Sequence, residues 1–171
     1  MFTAVLNQLI AGRDLSEREV TVVMNHIMTG HATEAQIAAF LATLRMKGET
    51  VAEVQSAAAV MRRHATLIDA GSQRVVDTCG TGGDGAGTFN ISTAAAFVAA
   101  GAGICVAKHG NRAVTSKCGS ADVLAALGLN LECPAPAMEQ CLQEHGIGFL
   151  FAPAMHPAMK HVMPVRRQLG I

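Results

Sequence analysis

The 171 residues carry zero formal net charge and are half hydrophobic, which suits one ordinary domain or a small domain beside part of another. Thirteen basic side chains balance thirteen acidic ones, Trp and Tyr are absent and Phe numbers six, so the composition gives no support to nucleic-acid or acidic-membrane binding. The five cysteines are odd in number and lack CxxC or metal-ligand spacing; without a cationic leader or an apolar run of membrane length, they read as reduced thiols of a cytoplasmic protein.

Residues 1–66 show helical periods alone. "TAVLNQLIAG" ends at Gly12, "LSEREVTVVMNHIMTG" at Gly30 and "TEAQIAAFLATLRMKG" at Gly48, while Thr50 opens "TVAEVQSAAAVMRRHA". "SERE" and "TEAQ" match the capping box, Ser or Thr followed three residues on by Glu or Gln. Four short helices with tight links predict a small bundle. His26, His31 and His64 have the spacing of face or end residues and read as structural.

After the link "IDAGSQ" the pattern changes. "RVVDTC" reads as a strand, "ISTAAAFVAAGAG" as a helix, "ICVAKHG" as a strand and "ADVLAALG" as a helix; "APAMEQCLQEHG" is helical and "IGFLFAP" a third strand. "HPAMKHVMPVRRQLG" reads as a last helix bent at Pro164. The predicted class is α/β: a small N-terminal helical bundle (1–66) and a mostly parallel-sheet domain (73–171), cut short at its C-terminal side or completed by another chain.

Between the first strand and its helix, "DTCGTGGDGAGTFNIST" places five glycines in eight positions. Gly80, Gly82 and Gly85 satisfy GxGxxG, but the second strand ends in Lys108 and His109 where a dinucleotide fold wants an acid. A Walker loop fails too, because Gly87 is followed by Thr88 and Phe89. What remains is the shared physics: glycines let amides approach an anion, and a helix starting near Ile91 adds its positive end. Asn90, Ser92 and Thr93 stand there, and the next strand delivers Lys108, His109, Asn111 and Arg112, followed by Thr115, Ser116, Lys117 and Ser120. Asp84 either orients the loop by accepting its amides or faces a ligand hydroxyl or Mg²⁺. The pattern suits a phosphorylated, hydroxyl-rich, magnesium-chelated molecule such as phosphoribosyl diphosphate.

"GTGGDGAGTFNIST" followed by "KHGNRAVTSKCGSADVLAALG" resembles the anthranilate phosphoribosyltransferase family of tryptophan biosynthesis, and the resemblance covers essentially the whole chain. It implies transfer of the phosphoribosyl group to anthranilate with release of pyrophosphate, a requirement for Mg²⁺, and a homodimer formed through the helical segment. Gly80, Gly83, Asp84, Thr88, Asn90, Ile91, Ser92 and Thr93 would contact the donor, with Ser92 a magnesium ligand. Lys108, His109, Gly110, Asn111, Arg112, Ala113, Val114, Thr115, Ser116 and Ser120 would wrap its phosphates and ribose, Lys108, Asn111 and Arg112 serving catalysis. Gly80, Asn111 and Arg166 would contact anthranilate, with His109 assisting. Cys118 stands where the family usually has Ser or another small residue. Family members run beyond "RRQLGI" and carry an acidic pair that helps hold metal. Two alternatives stay open: a pyrimidine nucleoside phosphorylase, which shares the fold, and a non-catalytic fragment of the transferase.

Overall fold

The computed structural model describes residues 1–71, 74–80, 87–113 and 118–170. Two compact units emerge: Met1–Ala65 together with the segment from His156 onward, and Thr66–Met155.

The first unit holds α1 (Phe2–Ile10), α2 (Glu17–Met28), α3 (Glu34–Lys47) and α4 (Val51–Arg63). Val20, Val23, Met24, Ile27 and Met28 recur at helical spacing and bury the inner face of α2. The two capping boxes read from the sequence form at Ser16/Glu19 and Thr33/Gln36, and Thr50 with Glu53 makes a third. His64 Nε2 lies 2.9 Å from Asn25 Oδ1, while the His26 ring sits beside Phe2 and stacks on His31.

Glu53 does more than cap. Its carboxylate, 2 % exposed, accepts the Leu15 amide at 2.9 Å, the Thr50 amide at 2.8 Å and the Lys47 ammonium at 2.9 Å. Burial alone would raise its pKa, but these donors outweigh burial and hold it at about 2.

The chain's last described segment departs from expectation. The sequence pattern assigns it to the α/β part as one helix bent at Pro164. Instead a 3₁₀ turn (Pro157–His161) precedes a separate helix, Met163–Leu169, with Pro164 in its first turn, where a missing N–H is harmless. Val162 and Val165 join the bundle's buried core, so apolar burial assigns this segment to the helical unit.

In the second unit three parallel strands lie in the order β1-β2-β3: β1 (Val75–Val76), β2 (Cys105–Gly110) and β3 (Ile147–Phe151). The alternating reading of the sequence holds, but β1 is only two residues long. Crossover helices follow: α5 (Ile91–Gly101) joins β1 to β2, and α6 (Ser120–Ala126) and α7 (Ala135–His145) lie between β2 and β3; a short α8 (Ala152–Met155) follows β3. Parallel sheets normally cover both faces. Here Val75, Val76, Phe97, Val98 and Leu127 are all more than 40 % exposed. Along β2 the pairing Lys108↔Phe149 and His109↔Leu150 fixes which side chains share a face.

Candidate active site

The carboxyl ends of β1 and β2 and the start of α5 converge, as ligand sites do in open α/β sheets. Period-two alternation sends Val106 and Lys108 to one side of β2, where both are buried. Lys108, 3 % exposed, reaches the first turn of α5 and donates from Nζ to Ser92 Oγ at 3.0 Å. A cavity of about 360 Å³ lies against its stem, walled by Ala96, Phe97, Leu124 and Phe149 and containing Thr93. That apolar burial pulls the Lys108 pKa below its usual value, opposed through space by Asp77 and Cys79. Among the described residues no carboxylate comes within ion-pair distance of the ammonium, and Thr93 Oγ1 is buried without a partner. A buried cation beside an orphaned hydroxyl at a helix N-terminus is a setting an anion would complete.

Asp77 ties the two strand ends together. Its Oδ1 accepts the Cys79 amide at 2.9 Å and the His109 amide at 3.1 Å. Burial acts to raise its pKa, but the Cys79 thiol, these amides and Lys108 bring it below the usual carboxylate range. The same contact raises the Cys79 thiol, with burial adding to it. Thr78 Oγ1 donates to the Ser92 carbonyl at 2.8 Å and pins the loop to α5.

On the other flank Asp122 organises the second loop. Its carboxylate accepts the Ala113 amide at 2.9 Å, the Gly119 amide at 2.8 Å and Arg112 Nη1 at 3.0 Å. The Asn111 carbonyl accepts the Ala121 amide at 3.1 Å and Ser120 Oγ at 3.3 Å, which folds the Asn111–Ala113 stretch over the start of α6. Gly119 is required by this closure, since a Cβ there would overlap the backbone of Arg112 and Ala113. Gly119→Ala should therefore destabilise the unit by ~1–3 kcal/mol, read from the midpoint of urea unfolding.

Of the predicted residues, Ser92, Thr93 and Lys108 meet directly around the cavity and helix start, and His109 through Ala113 follow on the same strand end with Ser120. Gly110 packs so closely that a Cβ would lie 2.7 Å from the Phe149 ring. Asn90 is the N-cap position of α5, but its side chain makes no cap bond; Nδ2 reaches the Cys118 carbonyl at 3.4 Å. Gly80, Thr88 and Ile91 are exposed, Gly87 alone among the described loop glycines takes positive φ, at 63°, and Arg166 is exposed on the last helix of the other unit. Gly83, Asp84, Val114, Thr115 and Ser116 lie outside the described residues. Sequence reasoning passes over Asp77 and Asp122. The signal for Asp122 is present as an acid at the third helical position after Gly119; Asp77 accepts an amide 32 residues away and leaves no local trace.

These features define the class. The chain matches "Glycosyl transferase family, a/b domain" over residues 72–171 and "Glycosyl transferase family, helical bundle domain" over 3–65, and it belongs to that glycosyl transferase family. Among curated relatives, an anthranilate phosphoribosyltransferase of Symbiobacterium thermophilum is 60 % identical over 98 % of this chain and 49 % of its own length. One of Chloroflexus aurantiacus is 61 % identical over 95 % of the chain and 48 % of its own. Among solved structures, the anthranilate phosphoribosyltransferase of Thermus thermophilus superposes with a TM-score of 0.88 at 44 % identity, over 97 % of this chain and 50 % of that one. The Saccharomyces cerevisiae enzyme in complex with PRPP and Mg gives 0.89 at 29 %, over 99 % and 51 %. The chain spans about half the length of the relatives it matches.

Proposed function

We propose that this chain supplies the donor-binding part of an anthranilate phosphoribosyltransferase. The observation that carries the proposal is the buried Lys108 ammonium on Ser92 Oγ at the start of α5, without a carboxylate partner among the described residues. A diphosphate at the strand ends would supply the missing negative charge. In the reaction the anthranilate amine forms a bond to ribose C1, the C1–oxygen bond breaks, pyrophosphate leaves with the electron pair and the amine proton passes to solvent. The demand is for placement and fixed charge rather than a strong base, which suits a site of amides, Lys108 and Arg112.

The donor set bears on the metal. Ser92 offers one hydroxyl oxygen and already accepts from Lys108. This fits Mg²⁺ carried in by a diphosphate, with Ser92 as one of its oxygens, better than an ion held by protein alone. When bound, Mg²⁺ would neutralise charge on the leaving pyrophosphate.

The helical unit would serve as the homodimer surface. Ile10, Met46, Val51 and Val54 are exposed there at 70, 86, 84 and 56 %, an unusual display of apolar side chains. Light scattering should give twice the monomer mass. No described helix is long and apolar enough to cross a membrane, and the zero net charge gives no basis for a nucleic-acid partner. The cytoplasmic setting follows from the biosynthetic reading.

The test uses the chain joined to the remaining half that its relatives possess. Anthranilate with phosphoribosyl diphosphate and Mg²⁺ should give pyrophosphate, whereas thymidine with phosphate should give no reaction. The reverse outcome would install a nucleoside phosphorylase in its place. The 171 residues by themselves should bind the donor in calorimetry without turnover.

A further inference from the structure

Asp77, Cys79 and His109 form a second chemical cluster at the strand ends, apart from the Lys108–Ser92 contact. One carboxylate oxygen, the thiol sulfur and one imidazole nitrogen all lie within 4.8 Å of one another. Asp77 and Cys79 are exposed, so an ion reaches these two from solvent, while His109 is half-buried with its Nε2 turned inward. The cluster is built rather than accidental in one respect: Asp77 Oδ1 holds the backbone amides of both other members, at 2.9 and 3.1 Å, and the Cys79 thiol hydrogen-bonds the same carboxylate.

We propose that Asp77, Cys79 and His109 bind a borderline-soft divalent cation of the Zn²⁺ class. The donor set decides the class of ion. One oxygen, one sulfur and one nitrogen suit Zn²⁺ or Co²⁺, whereas Mg²⁺ takes an octahedron of oxygens. Metal bonds of about 2.0–2.3 Å bring tetrahedral ligands to roughly 3.3–3.8 Å from each other. The cluster therefore closes by at most about 1–1.5 Å, a matter of side-chain rotation. The thiol proton leaves to solvent as the thiolate takes the metal. Three protein ligands leave a fourth position for water or a ligand oxygen. Lys108 does not obstruct the ion, since its Nζ is turned onto Ser92 Oγ. The cluster shares His109 with the residues expected to contact donor and anthranilate, but ion binding is read without any transferase turnover.

Titration of the intact chain with Co²⁺, followed by near-ultraviolet and visible absorption, tests this directly. A single equivalent should produce a thiolate-to-cobalt charge-transfer band, and Zn²⁺, but not Mg²⁺, should bleach it. Cys79→Ser should remove the band, and His109→Gln should weaken Co²⁺ binding at least ~10- to 100-fold, with far-UV circular dichroism unchanged in both. Cys118→Ser, which alters another exposed thiol, should leave the band intact. Absence of the band from the unaltered chain, or its survival in Cys79→Ser, would overturn the assignment. Should Cys79→Ser misfold, Asp77→Asn and His109→Gln give the same decision, because an unchanged affinity in both rules the cluster out.

Discussion

Replacing Lys108 by alanine should slow the chemical step of the proposed phosphoribosyl transfer by about 10²- to 10³-fold, or about 3–4 kcal/mol of barrier, the usual consequence of losing one preorganised donor. The measurement is single-turnover transfer in the chain completed to the length of its relatives. Lys108→Met separates charge from packing. Methionine preserves an apolar stem against Ala96, Phe97 and Phe149 but brings no ammonium. The lysine is 3 % exposed and hydrogen-bonds only Ser92 Oγ among the described residues, so its burial is itself destabilising. The Met variant should therefore be as stable as the parent, or more so, while losing the same rate. A slow, stable variant places the charge in the reaction. An unchanged rate would remove Lys108 from the mechanism.

The second large effect belongs to the helical unit. Glu53→Ala strips the Leu15 and Thr50 amides and the Lys47 ammonium of their shared acceptor. Breaking a buried pair by removing one partner costs about 3–5 kcal/mol, which for a chain of this length lowers Tm by roughly 10 °C. The pH dependence has a definite sign. The folded carboxylate has a pKa of about 2, against an ordinary 4.5, so the unfolded chain takes up the proton first. The contribution is whole above about pH 4.5, drains as pH falls, and is gone below about pH 2. Glu53→Gln should flatten that part of the Tm-against-pH curve. A parent curve as flat as that of the Gln variant would refute the assignment.

Much of this is legible in the sequence because it is local. Capping boxes at Ser16 and Thr33, the helix after the glycine loop and the basic residues at the end of β2 are encoded within a few positions. What escapes is non-local. Asp77 and Glu53 act by accepting amides 32 and 38 residues away, at His109 and Leu15, and neither pairing leaves a periodic signature. Asn90 reads in sequence as a ligand contact at a helix start, yet its amide turns toward Cys118, because two loops meet there that no short window contains. The final segment is legible only in part for a similar reason: "HPAMKHVMPVRRQLG" reads as helical, but the burial partners of Val162 and Val165 lie in the helical bundle, far back along the chain. Arg112 is legible as a cation near the ligand, whereas its ion pair with Asp122 requires the fold of α6.

The alternation of β2 has a consequence for how this site can change. Lys108 and His109 occupy opposite sides of one strand, and the register with Phe149 and Leu150 holds each to its side. Insertion or deletion of a single residue upstream in β2 would exchange ammonium for imidazole in the crevice and bury the wrong base. Length variation should accordingly be tolerated in the flanking loops but be lethal to activity inside the strand, whatever residue is added.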